Sequence, residues 1–192
     1  MSWDLETTLS RSADSSAFKA LYERHHRHVY AYCRRRVSSD VVDDAVADVF
    51  LTVWRRMAEV PTEPDVRPWL YQVARLTLAN YWRSATRRRN LGVKLETIGV
   101  SFGTSVSEQI VVREEVREAL ALLDGLRPSD REIIRLAVWE DLSHSEMAVV
   151  LGVTENNVRQ RLFRAKKRLG REYEKRQQKT SATPVAQKGG ER

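Results

Sequence analysis

The chain has 192 residues, of which 42% are hydrophobic and 31% are charged, and it carries a formal net charge of +7 at pH 7. Such an excess of positive charge favours a polyanionic partner such as nucleic acid. The single cysteine, Cys33, excludes an internal disulfide, and no apolar run approaches the roughly 20 residues of a membrane span. Because the N-terminus is acidic and lacks the apolar stretch of a signal peptide, we expect a cytoplasmic protein without membrane insertion.

Helical periodicity predicts a first domain over residues 15–89. Apolar side chains recur at helical spacing from Phe18 to Val37, and again from Val42 to Met57. Three prolines between residues 59 and 68 indicate a loop, and Pro68 can open the next helix because its ring fits the first turn. That helix ends in a basic run made of Arg83, Arg87, Arg88 and Arg89.

A flexible linker and a second helical domain are predicted for the rest of the chain. Periodicity fades over residues 90–107, which are rich in Gly, Ser and Thr. A second small domain follows over residues 108–176, with one helix over roughly residues 107–123 and another starting near Pro128. The polar tail, residues 177–192, is predicted to be disordered. Because no strand-type alternation occurs, the predicted fold is all-α, with two small helical domains.

Residues 142–170 are typical of a helix-turn-helix. Gly152 can form the turn because it lacks a Cβ, and Thr154 is a suitable N-cap for the second helix. In that helix Val158, Leu162, Ala165 and Leu169 share one buried stripe. A helix that is apolar on one side and rich in hydrogen-bond donors on the other suits the major groove of DNA. Its donor residues are Arg159, Gln160, Arg161, Arg164, Lys167 and Arg168.

On three stretches the chain resembles a bacterial sigma factor of the extracytoplasmic function (ECF) group in the sigma-70 family. The resemblance covers most of residues 15–174, and the short linker separates this group from the larger housekeeping sigma factors. The matching stretches are VVDDAVADVFLTVWRRM, RPWLYQVARLTLANYWR and ALLDGLRPSDREIIRLAVWEDLSHSEMAVVLGVTENNVRQRLFRAKKRL.

The resemblance implies a function in transcription initiation. Proteins of this group bind core RNA polymerase and direct it to promoters, and many are held inactive by an anti-sigma factor. The first domain would dock on the polymerase and open the minus-ten element, whereas the second would read the minus-thirty-five element as duplex DNA. The resemblance implies no enzymatic activity, no cofactor and no metal.

The resemblance also assigns roles to particular residues. Asp43, Asp44 and Asp48 match the polymerase-docking helix, although Ala47 stands where the family usually has Gln. The loop over residues 58–66 matches the element that captures a flipped minus-ten base. Minus-ten DNA would be bound by Asn80, Trp82, Arg83, Arg87 and Arg88. Minus-thirty-five DNA would be bound by Glu155, Asn156, Asn157, Arg159, Gln160, Arg161, Arg164 and Lys167.

Two other functions compete with this interpretation. One is a helix-turn-helix regulator that acts without forming a holoenzyme, which would need a receiver or ligand pocket in the first domain. The other is a hydrolase or metalloprotein built around the histidines near Cys33. His25 and His28 share a helix face, but a metal site needs three or four converging ligands. We therefore expect His25 and His28 at the surface or facing a partner, and Trp54 and Trp69 in the core. Trp82 is expected either in the core or stacked on DNA.

Overall fold

The computed structural model describes residues 3–90 and 121–181, and their side chains over residues 14–83 and 121–178. Short 3-10 turns lie at Ser39–Val41 and Met57–Glu59, and residues 121–124 are helical. These described residues contain no strand, which confirms the all-α prediction. The α-helices are, in chain order, α1 (Trp3–Arg34), α2 (Val42–Arg55), α3 (Val66–Asn90), α4 (Pro128–Val138), α5 (His144–Leu151) and α6 (Glu155–Ser181).

The first and last helices extend further than the apolar periodicity indicated. Helix α1 begins at Trp3, ahead of the predicted domain start at residue 15, and α6 continues to Ser181, into the predicted tail. Apolar periodicity detects only helices that bury one face, so it misses helical turns made mostly of polar residues. The predicted linker beyond Asn90 and most of the helix predicted over residues 107–123 lie outside the described residues.

Helices α1, α2 and α3 pack together around the first apolar core. Helix α3 begins at Val66 and holds Pro68 in its first turn, as predicted. The stripe predicted for the second helix is confirmed from Val42 to Val53, where its apolar side chains are buried in the contact of α2 with α1 and α3. The buried members of that stripe are Val42, Ala45, Val46, Val49, Phe50 and Val53.

Helices α4, α5 and α6 form the second group. Helix α4 starts at Pro128, where a helix was predicted to begin, and packs along α6. Arg131 in α4 donates to the carbonyl oxygens of Leu123 (3.1 Å) and Leu126 (3.3 Å). Since those carbonyls precede α4, this arginine ties the helical residues 121–124 to the rest of the group.

The two groups of helices contact each other through α3 and α5. Gln72 Nε2 donates to the carbonyl oxygen of Val149 (2.8 Å), and Arg75 Nε donates to that of Val150 (2.8 Å). Both carbonyls belong to the last turn of α5, where helix carbonyls lack partners within the helix and a cation is favourable. A second contact joins Arg36, just after α1, to Glu140, just after α4 (2.9 Å). Residues 3–90 and 121–181 thus share a polar and partly buried interface.

None of the helices in the described residues combines the length and the apolar character that a membrane crossing requires. No group of three or more His, Cys, Asp or Glu side chains in this part of the chain lies close enough to hold a metal ion. Cys33 is a buried free thiol, and burial raises its pKa to about 12.

Candidate nucleic-acid interface

The helix-turn-helix consists of α5, a turn at Gly152, and α6. Ser143 and Glu146 form a reciprocal capping box at the start of α5, because each side chain accepts from the other residue's backbone N–H. Gly152 ends α5 with φ +66°, a left-handed conformation that favours glycine. The Thr154 side chain then accepts from the backbone N–H of Asn157 (3.3 Å), which confirms the predicted N-cap. Capping at both sides of the turn fixes the direction in which α6 leaves α5.

Helix α6 divides into a buried stripe and an exposed basic face, as the sequence predicted. Val158, Leu162 and Ala165 are buried against the helical core. Glu155 is half-buried and forms an ion pair with Arg159 one turn later. The other predicted minus-thirty-five contacts are exposed, namely Asn156, Asn157, Gln160, Arg161, Arg164 and Lys167. Donors in such a row can reach both base edges and phosphates.

Two residues of α6 depart from the sequence-based expectations. Phe163 is 69% exposed on the recognition helix, although apolar side chains of this size are usually buried. The periodicity gave no reason to single it out, because it falls off the buried stripe. Arg168, one of the predicted donor residues, has a partner within the fold. Its Nη1 contacts both carboxylate oxygens of buried Asp130, at 2.8 and 2.7 Å, so it connects α6 to α4.

The acidic residues predicted to dock on polymerase lie on the exposed side of α2. The carboxylates of Asp43 and Asp44 are exposed and make no ion pair or hydrogen bond with the described residues. Asp48 differs, because its carboxylate accepts a hydrogen bond from the Tyr81 hydroxyl (2.5 Å). Burial and this hydrogen bond raise the pKa of Tyr81 above its ordinary value. Asp44 is therefore free to pair with a partner, whereas Asp48 also connects α2 to α3.

A partly exposed aromatic cluster lies between α1 and α2. Trp54 was predicted in the core, which is wrong, because it is 41% exposed. Its ring packs edge-on against Phe18 at 5.1 Å between centroids, and Tyr22 packs against Phe50 at 4.7 Å. Trp69, by contrast, is buried as predicted. The exposed side of α2 thus combines free carboxylates with exposed apolar surface.

The residues predicted to bind minus-ten DNA lie in the last turns of α3. Asn80 and Arg83 are exposed, and Arg83 Nη2 donates to Asn80 Oδ1 (2.6 Å). Trp82 is half-buried and packs against the apolar core, which matches the core alternative for this side chain. Arg87 and Arg88 belong to α3, but their side chains lie outside the described residues.

The loop predicted to capture a minus-ten base is held against α1. Glu63 Oε1 lies 3.3 Å from His25 Nε2 and 3.3 Å from Arg24 Nη1. The prediction that His25 lies at the surface is wrong, because only 6% of it is exposed, whereas His28 is exposed as expected. Burial lowers the pKa of His25, and neighbouring Glu63 opposes that shift without reversing it.

Family models match both groups of helices. The model described as Sigma-70 region 2 matches residues 21–88, and the model described as Sigma-70, region 4 matches residues 117–169. The two models together span most of the described helices. Region 2 matches first along the chain and region 4 second, which is the order that the sequence predicted.

Curated relatives and solved structures agree with these matches. The probable RNA polymerase sigma factor RfaY of Xanthomonas campestris pv. campestris is 31% identical over 128 residues, which cover 65% of this chain but only 32% of that relative. The ECF RNA polymerase sigma-E factor of Escherichia coli is 27% identical over 164 residues, covering 81% of this chain and 86% of the relative. A similar fold occurs in the sigma factor RpoE from Bartonella quintana, solved in complex with the anti-sigma factor NepR. Its TM-score is 0.61 at 19% identity, covering 82% of this chain and 97% of that one.

Proposed function

The chain belongs to the sigma-70 family of RNA polymerase sigma factors, in its extracytoplasmic function group, and we propose how its surfaces serve promoter-specific initiation. Sigma factors are regulators of transcription initiation rather than enzymes. The observation that carries the proposal is the exposed basic face of α6 behind a fully capped helix-turn-helix. A cytoplasmic location follows from this role, since the polymerase and its promoters are there.

Recognition of the minus-thirty-five element is assigned to α6. Arg159 and Gln160 lie early in this helix, where a recognition helix approaches base edges in the major groove. Arg suits guanine and Gln suits adenine, whereas Lys167 further along the helix suits a phosphate. We add Phe163 to this surface, because an exposed apolar ring is suited to a thymine methyl group.

Docking on core polymerase is assigned to the exposed side of α2. Asp43 and Asp44 offer two carboxylates without partners among the described residues, and Asp48 stands one turn beyond Asp44. The adjacent Leu51 and Trp54 supply exposed apolar surface. An interface that combines apolar contact with charge complementarity gains both affinity and orientation.

Binding of the melted minus-ten strand is assigned to the later turns of α3. The residues proposed to contact this strand are Asn80, Arg83, Arg87 and Arg88, together with Trp82 where its ring edge is accessible.

An anti-sigma protein is proposed as a further partner. The related fold from Bartonella quintana is that of a sigma factor bound to an anti-sigma factor. A sigma factor that contains only these two regions can be kept from polymerase by one protein that covers its docking surface.

Reconstitution with core RNA polymerase tests this function. The purified chain should bind core polymerase and start transcription at a defined subset of a genomic promoter library, whereas core polymerase alone should not. Asp44→Lys should weaken core binding strongly, because it reverses an exposed charge without disturbing a hydrogen bond. Asp40→Lys is the matched control, since Asp40 is exposed but lies before α2. Equal core affinity of all three proteins would remove α2 from the docking surface.

The DNA surface is tested on a promoter selected in that experiment. Arg159→Ala should cost roughly 1–3 kcal/mol on the selected duplex and little on a scrambled one, because it removes a base contact. Lys167→Ala should weaken binding to both duplexes equally and reduce the salt slope by roughly one unit. If Arg159→Ala loses the same affinity on both duplexes, α6 does not read sequence through this residue.

A further inference from the structure

A cavity of about 250 Å³ lies between the two groups of helices. Its lining comes from Arg36, Arg75 and Trp82 of the first group and from α4, α5 and α6 of the second. One carboxylate, that of Glu132, faces five guanidinium groups in the lining. The arginines are Arg36, Arg75, Arg131, Arg135 and Arg161. The lining therefore has a large excess of positive charge.

Three of these arginines are occupied by protein partners. Arg36 pairs with Glu132 (3.0 Å) and Glu140 (2.9 Å). Arg75 donates to carbonyl oxygens at the end of α5, and Arg131 donates to those before α4. Their hydrogen-bonding capacity is largely used within the fold, so they set the positive field of the cavity rather than its ligand contacts.

Arg135 and Arg161 remain available to a ligand. The Arg135 side chain is only 6% exposed, yet its Nε has no hydrogen-bond partner, and its nearest carboxylate, Asp124, is 3.9 Å away. Burial and the neighbouring Arg36 lower the pKa of Arg135 to about 10. Arg161 forms no ion pair or hydrogen bond with the described residues, although it is part of the same lining. Arg135 is thus a buried cation with a long carboxylate contact and an unsatisfied Nε–H, and such a group gains from an added anion.

The start of α4 adds a third contribution. Pro128 and Ser129 line the cavity, and the N-cap of this 11-residue helix, Arg127, makes no side-chain cap hydrogen bond. Pro128 has no backbone N–H and that of Asp130 donates to the Arg127 carbonyl oxygen (3.0 Å), so Ser129 supplies the N–H of this turn. A backbone N–H at the start of a helix favours anions, and phosphate in particular. The start of α4 and the unsatisfied Nε of Arg135 both favour an anion, on separate observations.

We propose that this cavity binds a phosphate-bearing anion, held by Arg135, Arg161 and the first turn of α4. Guanidinium groups match phosphate oxygens with paired, charge-assisted hydrogen bonds, and a doubly charged anion offsets more of the surrounding charge than a carboxylate does. The phosphate can come from a free oligophosphate or nucleotide, for which Trp82 supplies a stacking surface, or from the DNA backbone. Because both groups of helices line the cavity, the bound anion stabilises their contact. Binding here does not require promoter recognition.

Calorimetric titration of the full chain with sodium pyrophosphate tests the proposal. Pyrophosphate should bind and raise the unfolding temperature, whereas sodium chloride at matched ionic strength should not. Arg135→Gln and Arg161→Gln should each weaken binding by about tenfold or more, because each removes a charged hydrogen-bond donor. Arg161 is exposed, so its variant keeps the test valid if Arg135→Gln folds poorly. A wild-type chain that shows neither heat nor stabilisation at millimolar pyrophosphate would overturn the proposal.

Arg171→Gln is the matched control, because Arg171 is exposed on the same helix and does not line the cavity. Arg171→Gln should leave pyrophosphate affinity unchanged. If it loses as much affinity as Arg161→Gln, the effect is due to net charge alone and a specific site is refuted. A short DNA duplex distinguishes the sources of phosphate. Displacement of pyrophosphate from the wild-type chain by the duplex assigns the cavity to a DNA phosphate, and no displacement assigns it to a free anion.

Discussion

His25 shows how a single side chain links the base-capture loop to α1. It is buried at the base of the first domain's loop, with Nε2 facing Glu63 and with Nδ1 lacking a hydrogen-bond partner. The contact with Glu63 favours the imidazolium, but burial favours the neutral ring more strongly, so the pKa lies below 6.5. The folded state therefore prefers neutral His25, and the geometric ion pair forms only when the ring is protonated.

This preference predicts a loss of stability in mild acid. In the unfolded chain the ring takes up a proton near its ordinary pKa, whereas in the folded protein it does so only at lower pH. The contribution of His25 is thus complete above about pH 6.5 and is lost as the pH falls below that value. His25→Gln should flatten the dependence of the unfolding free energy on pH between about 7.5 and about 5.5. His28→Gln, at an exposed position, should retain it; equal flattening in both variants would contradict the assignment.

Residues whose environment is local were predictable, and residues whose environment is built by distant segments were not. The burial of Val158 and Leu162 follows from helical spacing alone. The burial of His25 depends on a loop far along the chain, and Arg168 acquires its role from Asp130 in another helix. Trp54 belongs to a helix whose spacing suggested the core, but the packing partners on its side are too few to cover it.

Among the elements, the helix-turn-helix was the most predictable, because its turn has a local chemical signature. Gly152 has φ +66°, and an added Cβ would meet nothing within 4 Å, so only the backbone conformation demands glycine there. The capping box of Ser143 and Glu146 could also have been recognised from its spacing. The predicted linker and the helix predicted before residue 121 have no comparable local signature, and they lie outside the described residues.

Glycine substitutions separate this backbone requirement from packing. Gly152→Ala should destabilise the protein by about 1 kcal/mol, and Gly152→Val by more, because a branched side chain tolerates positive φ poorly. Gly170 is the matched control, since it lies inside α6 with open space around it. Gly170→Ala should stabilise the protein by roughly 0.5–1 kcal/mol. Chemical denaturation of both variants checks the signs, and a neutral Gly152→Ala would show that the turn does not require glycine.

Buried ion pairs join the two groups of helices, and no local sequence pattern predicts them. Arg36 is buried with its guanidinium 3.5 Å from the centre of the Tyr32 ring, and it contacts Glu132 and Glu140 from the other group of helices. About a hundred residues separate these partners in the sequence. Helical periodicity predicts which faces are apolar, but it cannot predict that a charged residue from one domain will be desolvated by another. The two-domain prediction therefore missed the contact between the domains.

This contact predicts a large effect for Glu140→Gln. Glu140 accepts from Arg35 (2.6 Å) and from Arg36 (2.9 Å), so the variant weakens the pairing of a buried cation. We expect the unfolding free energy to fall by up to about 3–5 kcal/mol and the radius of gyration from X-ray scattering to increase as the helices separate. Glu23→Gln is the control, because Glu23 pairs with Lys19 on an exposed surface, where such pairs contribute little. If Glu140→Gln matches the control in stability and size, the buried ion pairs do not hold the two groups of helices together. Arg36→Met should make the further replacement of Glu140 much less costly, because the two residues act as a unit.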